Sequence, residues 1–262
     1  MKGKIVLITG ASSGIGAETA KAFAHLGATV LLLARNETRL NQLAESIRTQ
    51  GGKALVFPVD VGNYDAVVAM ADKVKQDIGV PDVIINNAGT GLWRFVEETT
   101  AEQAIESIKV PYLAAFFVTK VFMPELLKRH SGHIVNMSSF AAKIPFSGAT
   151  AYISSRKAMI GLHDALTMDL QGTGIKTSLA YFAKVDSPFW EHNPGSEERL
   201  PLSQKLIPVI SPKKAAQAIV QGVLKGKREI SSPFMLKIIL FLTWLTPFAT
   251  RFIMYKTGYK RK

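Results

Sequence analysis

Seven short runs of β-branched and aliphatic residues punctuate the chain: KIVLI (4–8), ATVLLL (28–33), KALVFPV (53–59), DVIINN (82–87), GHIVNMSS (132–139), IKTSLAYF (175–182) and the weaker REISS (228–232). Between them lie stretches with helical apolar spacing that begin near Gly14, Asn36, Asn63, Thr100, Ala151 and Pro212. Strand–helix alternation predicts an α/β fold with a parallel sheet covered by helices on both faces. The strand runs are almost continuously apolar, as a sheet buried on both sides requires. Boundary signals agree: Gly27 follows a helical pattern where a left-handed cap is expected, and Thr100 with Gln103 has capping-box spacing. No repeat or low-complexity segment interrupts the alternation, so residues 1–232 read as one unit. A Pro-, Gly- and charge-rich stretch, 187–211, and an apolar tail, 233–262, stand apart.

Candidate chemistry begins at the end of the first strand, in TGASSGIG (9–16). Glycines there allow a sharp turn and a close backbone approach to a pyrophosphate, while amides at the helix N-terminus point toward its charge. Gly10, Ser12, Ser13, Gly14, Ile15 and Gly16 are the candidate phosphate-binding residues. The second strand ends in LLLARNE, where an acidic residue would accept hydrogen bonds from the adenosine ribose. Ala34, Arg35 and Asn36 stand there instead, and Arg35 matches a 2′-phosphate, so NADP(H) is favoured over NAD(H).

With TGASSGIG, with NNAG at Asn86–Gly89 and with a tyrosine downstream of NMSS, the chain resembles the short-chain dehydrogenase/reductase family from about Lys4 to Ser231. The resemblance implies a single Rossmann-like, doubly wound domain of about seven parallel strands. It implies that Asp60 and Val61 lie beside the adenine, that Asn87, Ala88 and Gly89 lie near the adenosine ribose, and that Val185 and Ser187 contact the carboxamide and a phosphate. Ser139 and Tyr152, thirteen positions apart, match the family's catalytic pair, and Arg156 stands one helical turn beyond Tyr152. The activity implied is interconversion of a carbonyl and an alcohol. A phenol is a fair acid but a poor base at neutral pH, and a fixed cation nearby makes both directions usable. A serine hydroxyl polarises the carbonyl.

Three positions depart from the family pattern. Arg156 replaces a lysine; it keeps a positive field and can hold the nicotinamide ribose, but it cannot give up a proton. Lys157, five residues from Tyr152, projects well around the helix and is a poor substitute. Pro111 stands where an asparagine usually holds a water, and Phe182-Ala183 replaces a Pro-Gly pair near the nicotinamide. Two of these losses fall on the proton relay. A second reading therefore stays open: a nucleotide-binding relative with little or no catalysis, acting as a sensor or scaffold.

Composition narrows the setting. Of 262 residues none is cysteine, so disulfides and thiolate metal sites are excluded and no metal is expected. The N-terminus runs at once into a short apolar strand, which predicts no secretory signal and a cytoplasmic protein. The net charge of +12 fits lysine-rich helix faces, anionic phosphates or an anionic membrane, and no nucleic-acid motif accompanies it. Phe189 and Trp190 in the 187–211 substrate loop suit either an apolar pocket or anchors to the core, and His192 is the histidine nearest its mouth. The apolar run of the tail, Ile238–Thr246, is far short of the ~20 residues a spanning helix needs. Three readings of the tail fit: an anchor at the inner membrane surface, a cap over the pocket or subunit contact, or a disordered end. Beside the substrate loop it resembles the family's lipid-handling branches, such as ketosphinganine reductases and hydroxysteroid dehydrogenases, which implies an apolar or lipid-like substrate. The family also implies a homodimer or homotetramer through helices around 103–129 and 152–170.

Overall fold

The computed structural model describes residues 1–261; Lys262, the last residue of the basic end, lies outside the described residues. Each of the seven apolar runs forms a strand: β1 (Ile5–Thr9), β2 (Thr29–Ala34), β3 (Lys53–Pro58), β4 (Val83–Asn86), β5 (Gly132–Met137), β6 (Ile175–Phe182) and β7 (Glu229–Ser232). They form one sheet in the order β3-β2-β1-β4-β5-β6-β7, with every neighbouring pair parallel. The order reverses between β1 and β4, so the carboxyl ends of those strands flank a crevice.

The connecting helices are α1 (Gly14–His25), α2 (Glu37–Thr49), α3 (Tyr64–Asp77), α4 (Ala101–Ile108), α5 (Ala114–Lys128), α6 (Phe140–Lys143), α7 (Thr150–Asp169), α8 (Phe189–His192) and α9 (Pro212–Leu224). Side chains alternate across the strands and supply two apolar layers. Val6, Ile8, Val30 and Leu32 pack with Phe23 of α1, Leu40 of α2 and Ile219 of α9. Leu7, Leu31, Leu33 and Ile84 pack on the other face with Val67 of α3 and with Val118 and Phe122 of α5. Removing each such leucine or isoleucine from water contributes about 1.5–3 kcal/mol, which holds the sheet as a rigid floor for the strand ends.

Local chemistry sets the element boundaries. Asn36 caps α2 by accepting from the Arg39 amide at 2.9 Å, and Asn63 caps α3 through the Ala66 amide at 3.2 Å. Thr100 and Gln103 form the expected capping box. After α1, Gly27 takes φ +82° while its amide reaches Ala24 and that of Ala28 reaches Phe23, a Schellman ending. The long helix predicted from Thr100 is broken: Val110 adopts φ −126°, ψ 101° before Pro111, whose ring excludes the α conformation from the residue ahead of it. A wide turn, Lys109–Leu113, joins α4 to α5 across the break.

The tail is folded. Helices α10 (Met235–Leu245) and α11 (Pro247–Thr257) meet at a 114° bend and pack back toward the carboxyl ends of the strands. This excludes a disordered end for residues 233–261.

A buried histidine makes the fold sensitive to acid. His133 on β5 lies in contact with Ser178 on β6 at 2.7 Å, and the Ser178 hydroxyl donates to the Lys227 carbonyl at 2.5 Å. The serine's one proton is therefore committed, and His133 Nε2–H is the donor to it. Burial, with Lys176 adding to it, pushes the His133 pKa down from 6.5 to about 4. Burial likewise lowers His163. The unfolded chain takes up protons that the folded chain refuses, so stability is full above pH 6.5 and falls as pH drops toward 4. Urea unfolding at pH 7.5 and pH 5 should show about 2 kcal/mol lost from His133. His133→Gln should make that slope shallower, and an unchanged slope in the variant would contradict the assignment.

Candidate active site

At the switch point Thr9 and Asn87 tie β1 to β4. The Thr9 hydroxyl oxygen accepts from the Asn87 and Ala88 amides at 3.0 and 2.9 Å, and the Asn87 side chain donates to the carbonyls of Thr9 (2.9 Å) and Gly10 (3.3 Å). Asn87 thus holds the glycine turn. Gly10 takes φ +66°, and a Cβ there would stand 2.9 Å from Ala88 Cα. A Cβ on Gly16 would stand 2.3 Å from the Gly10 carbonyl oxygen. These glycines let turn, helix and neighbouring strand approach one another.

A continuous cavity of about 1260 Å³ runs along the carboxyl ends of the strands. Gly10, Ser12, Ser13, Gly14, Ile15, Arg35, Asn36, Asp60, Val61, Asn87, Ala88, Gly89, Ser139, Tyr152, Arg156, Val185 and Ser187 all border it. Gly16 alone among the sequence-predicted residues does not; it acts behind the turn as a packing position. Arg39, in the first turn of α2, borders the same end of the cavity. Sequence reasoning missed it; a second cation just after the end of β2 was the available signal.

Near the middle of the cavity, Ser139 caps α6: its Oγ accepts from the Ala141 amide at 3.2 Å, which leaves the hydroxyl proton free to donate. Tyr152 and Arg156 lie on one face of α7, both buried. The guanidinium carbon is 5.2 Å from the Tyr152 ring centroid, and Nη1 donates to the Met137 carbonyl at 3.4 Å. Arg156 Nε is buried without a partner among the described residues. Gly89 makes room for this side chain, since a Cβ there would stand 2.3 Å from Nη2. Lys157 is exposed, as its position on the helix requires.

The far end is aromatic and apolar. Trp93 packs on Phe146, Tyr152 and Trp190 with ring centroids 5.0–5.3 Å apart, and Phe189 lies 6.0 Å from Tyr152. Trp190 also donates to the Val185 carbonyl at 2.8 Å, so it both lines the cavity and anchors the loop. His192 borders the cavity and stays exposed. Residues of α10 and α11, among them Met235, Ile239, Thr250 and Met254, close the apolar end. Nothing in the sequence marked Trp93 or Phe146 as belonging to the surroundings of Tyr152, whereas a cap over the pocket was one of the readings of the tail.

A clasp fixes that wall. Arg199 reaches Glu98 through two hydrogen bonds of 2.5 and 3.0 Å and stacks over Tyr259 at 4.9 Å, while Arg261 pairs with Glu97 at 2.6 Å. Arg199, together with the Phe95 amide, holds the Glu98 carboxyl down to about 2. The carboxylate therefore stays charged at any physiological pH.

The family model for short chain dehydrogenases matches residues 4–197. The chain belongs to the short-chain dehydrogenase/reductase family. It is 36% identical over 239 residues to an uncharacterized oxidoreductase of Mycobacterium bovis, covering 89% of this chain and 68% of that one. To estradiol 17-beta-dehydrogenase 11 of Macaca fascicularis it is 34% identical over 248 residues, covering 94% and 80%. The crystal structure of a metagenomic short-chain oxidoreductase in complex with NADP superimposes with a TM-score of 0.74 at 28% identity, covering 88% and 97%.

Within this family of oxidoreductases, the departures read from sequence have local explanations. Arg156 is longer than lysine and fits because Gly89 carries no side chain. Pro111 does not border the cavity, whereas Val110 does, through the break that Pro111 imposes. Phe182 and Ala183 border it in place of the Pro-Gly pair.

The packing role of Gly16 gives a direct test. Gly16→Ala should cost about 1–3 kcal/mol by overpacking and weaken dinucleotide binding, read by thermal unfolding and by quenching of tryptophan fluorescence. Gly161→Ala, mid-helix with open space around it, should instead gain about 0.5–1 kcal/mol. Equal effects of the two changes would refute the close-approach argument.

Proposed function

We propose that this chain is a cytoplasmic NADP(H)-dependent oxidoreductase that interconverts a carbonyl and an alcohol on an apolar or lipid-like substrate. The observation that carries this reading is that one cavity joins the glycine turn and Arg35 to Ser139, Tyr152 and Arg156, and then continues into an apolar chamber. The residues present fit a dinucleotide. The turn offers amides and the α1 N-terminus, and Arg156, with Nη2 against Gly89, keeps a buried Nε that has no partner among the described residues. Arg35 and Arg39 offer two cations where a 2′-phosphate would lie. Residues 1–232 are the catalytic unit, with 187–211 as the substrate loop, and helices α10 and α11 of the 233–262 tail form its wall.

When bound, the dinucleotide supplies or accepts the hydride. The side chains do the rest. Ser139 donates a hydrogen bond from its free hydroxyl to the carbonyl oxygen. Tyr152 delivers a proton to that oxygen in reduction and takes it back in oxidation. Arg156 places a guanidinium 5.2 Å from the Tyr152 ring centroid and would hold the nicotinamide ribose. Ile105, Phe116 and Met168, exposed on α4, α5 and α7, support a homodimer or homotetramer through these helices.

A second reading is nucleotide binding with little or no catalysis. It is favoured by the guanidinium at position 156, which cannot pass a proton on, and by Pro111 in place of a water-holding side chain. NADPH oxidation against a panel of small and lipid-like ketones separates the two. Activity in the wild type, lost about 10²–10⁴-fold in Tyr152→Phe, supports the enzyme. Activity appearing only in Arg156→Lys supports the binding protein.

The cofactor assignment has its own test. Arg35→Ala combined with Arg39→Ala should weaken NADPH about 10- to 100-fold, the worth of charge-assisted hydrogen bonds to a phosphate. NADH binding should be nearly unchanged, and a parallel loss for both nucleotides would contradict the 2′-phosphate role.

A further inference from the structure

The α10–α11 hairpin has two apolar faces, and the cavity accounts for one. Met235, Ile239 and Met254 point into the chamber. On the outside, Phe234, Phe241, Trp244, Phe248, Phe252 and Tyr255 are exposed. Phe248, Phe252 and Tyr255 follow i, i+4, i+7 spacing, so they form one stripe along α11. A contiguous exposed apolar patch of this kind marks an interaction surface. Two residues of the hairpin, Leu242 and Ile253, belong to both faces, and Leu206 of the 187–211 loop adjoins them. Leu206, Leu242 and Ile253 border the cavity yet are 79%, 49% and 47% exposed. The mouth of the chamber therefore opens within the apolar patch.

We propose that this outer face docks on an anionic lipid surface and that the chamber takes its apolar substrate directly from it; the second half rests on the oxidoreductase reading above. Charge decides the occupant. Residues 233–262 carry Lys237, Arg251, Lys256, Lys260, Arg261 and Lys262 and no acidic residue. Arg261 is engaged by Glu97, but Lys237, Arg251 and Lys256 are exposed and have no ion pair among the described residues. A second copy on this face would bring those cations against each other, whereas an anionic headgroup layer neutralises them. Geometry decides the mode. Each helix has eleven residues, about 16 Å of length, against about 30 Å of hydrocarbon, and the pair is bent by 114°. Such a hairpin lies in the interface with its aromatic residues at headgroup depth. The clasp of Arg199 with Glu98 and of Arg261 with Glu97 keeps its inner side on the cavity.

The test uses the full chain with phosphatidylcholine vesicles, with and without roughly one-third phosphatidylglycerol. Co-sedimentation should require the anionic lipid and weaken with salt, and tryptophan emission should shift to the blue on binding. Phe248→Glu with Phe252→Glu, neither of which borders the cavity, should lower vesicle binding at least about tenfold. The same variant should keep NADPH binding and reduction of a short water-soluble ketone, while losing reduction of a long-chain methyl ketone carried in the vesicles. Wild-type protein left in the supernatant with both vesicles would overturn the proposal. So would loss of a wild-type dimer in the variant by analytical ultracentrifugation, since a second copy would then be the occupant. Vesicle binding without turnover of any ketone would sustain the docking surface and count against the oxidoreductase reading.

Discussion

Two backbones approach at the switch point of the sheet more closely than side chains allow, and the architecture of the cavity follows from that approach. Gly10 lies against Ala88, and Gly16 lies against Gly10, at separations that no Cβ tolerates. Thr9 and Asn87 lock the contact with four hydrogen bonds between β1 and the chain leaving β4. Because the turn is held from the neighbouring strand, its amides and the start of α1 face a pre-formed trough. Binding a dinucleotide there requires little ordering of the protein, which is the condition for tight binding at modest contact area.

The same economy of volume governs the centre of the site. Arg156 fills the space that Gly89 leaves and sits over the face of Tyr152, so a longer cation is accommodated without displacing the tyrosine. A guanidinium keeps its charge and its geometry, whereas an ammonium can be titrated. The substitution separates two roles that lysine combines, field and proton conduction. The break at Val110–Pro111 changes the backbone at the position where the second of those roles would otherwise be supported.

The wall of α10 and α11 joins the cavity to the outer surface. One pair of short helices closes the chamber on one side and exposes aromatic and basic residues on the other. A mouth rimmed by leucine and isoleucine would be a poor entrance from water and a good one from lipid. The clasp around Arg199 and Arg261 makes that wall part of the folded protein before any partner is met.

Much of this was legible in the residue order. Runs of β-branched and aliphatic residues predicted all seven strands, most clearly the central ones, which are buried on both faces, and least clearly the edge strands β3 and β7. The cap residues at Asn36, Asn63 and Thr100 marked helix starts because their side chains bond amides only a few residues away. The glycine turn, Arg35, Ser139, Tyr152 and Arg156 stood at recognisable spacings, so most of one cavity wall could be named in advance. What the order of residues could not carry were contacts between segments remote along the chain. Trp93 meets Tyr152, Gly89 makes room for Arg156, and the tail folds back over the chamber, through packing that leaves no local pattern. That the tail is folded against the cavity and is not a loose end was decided by tertiary structure alone. Only the folded chain shows that its two faces are both apolar and that the cavity opens between them.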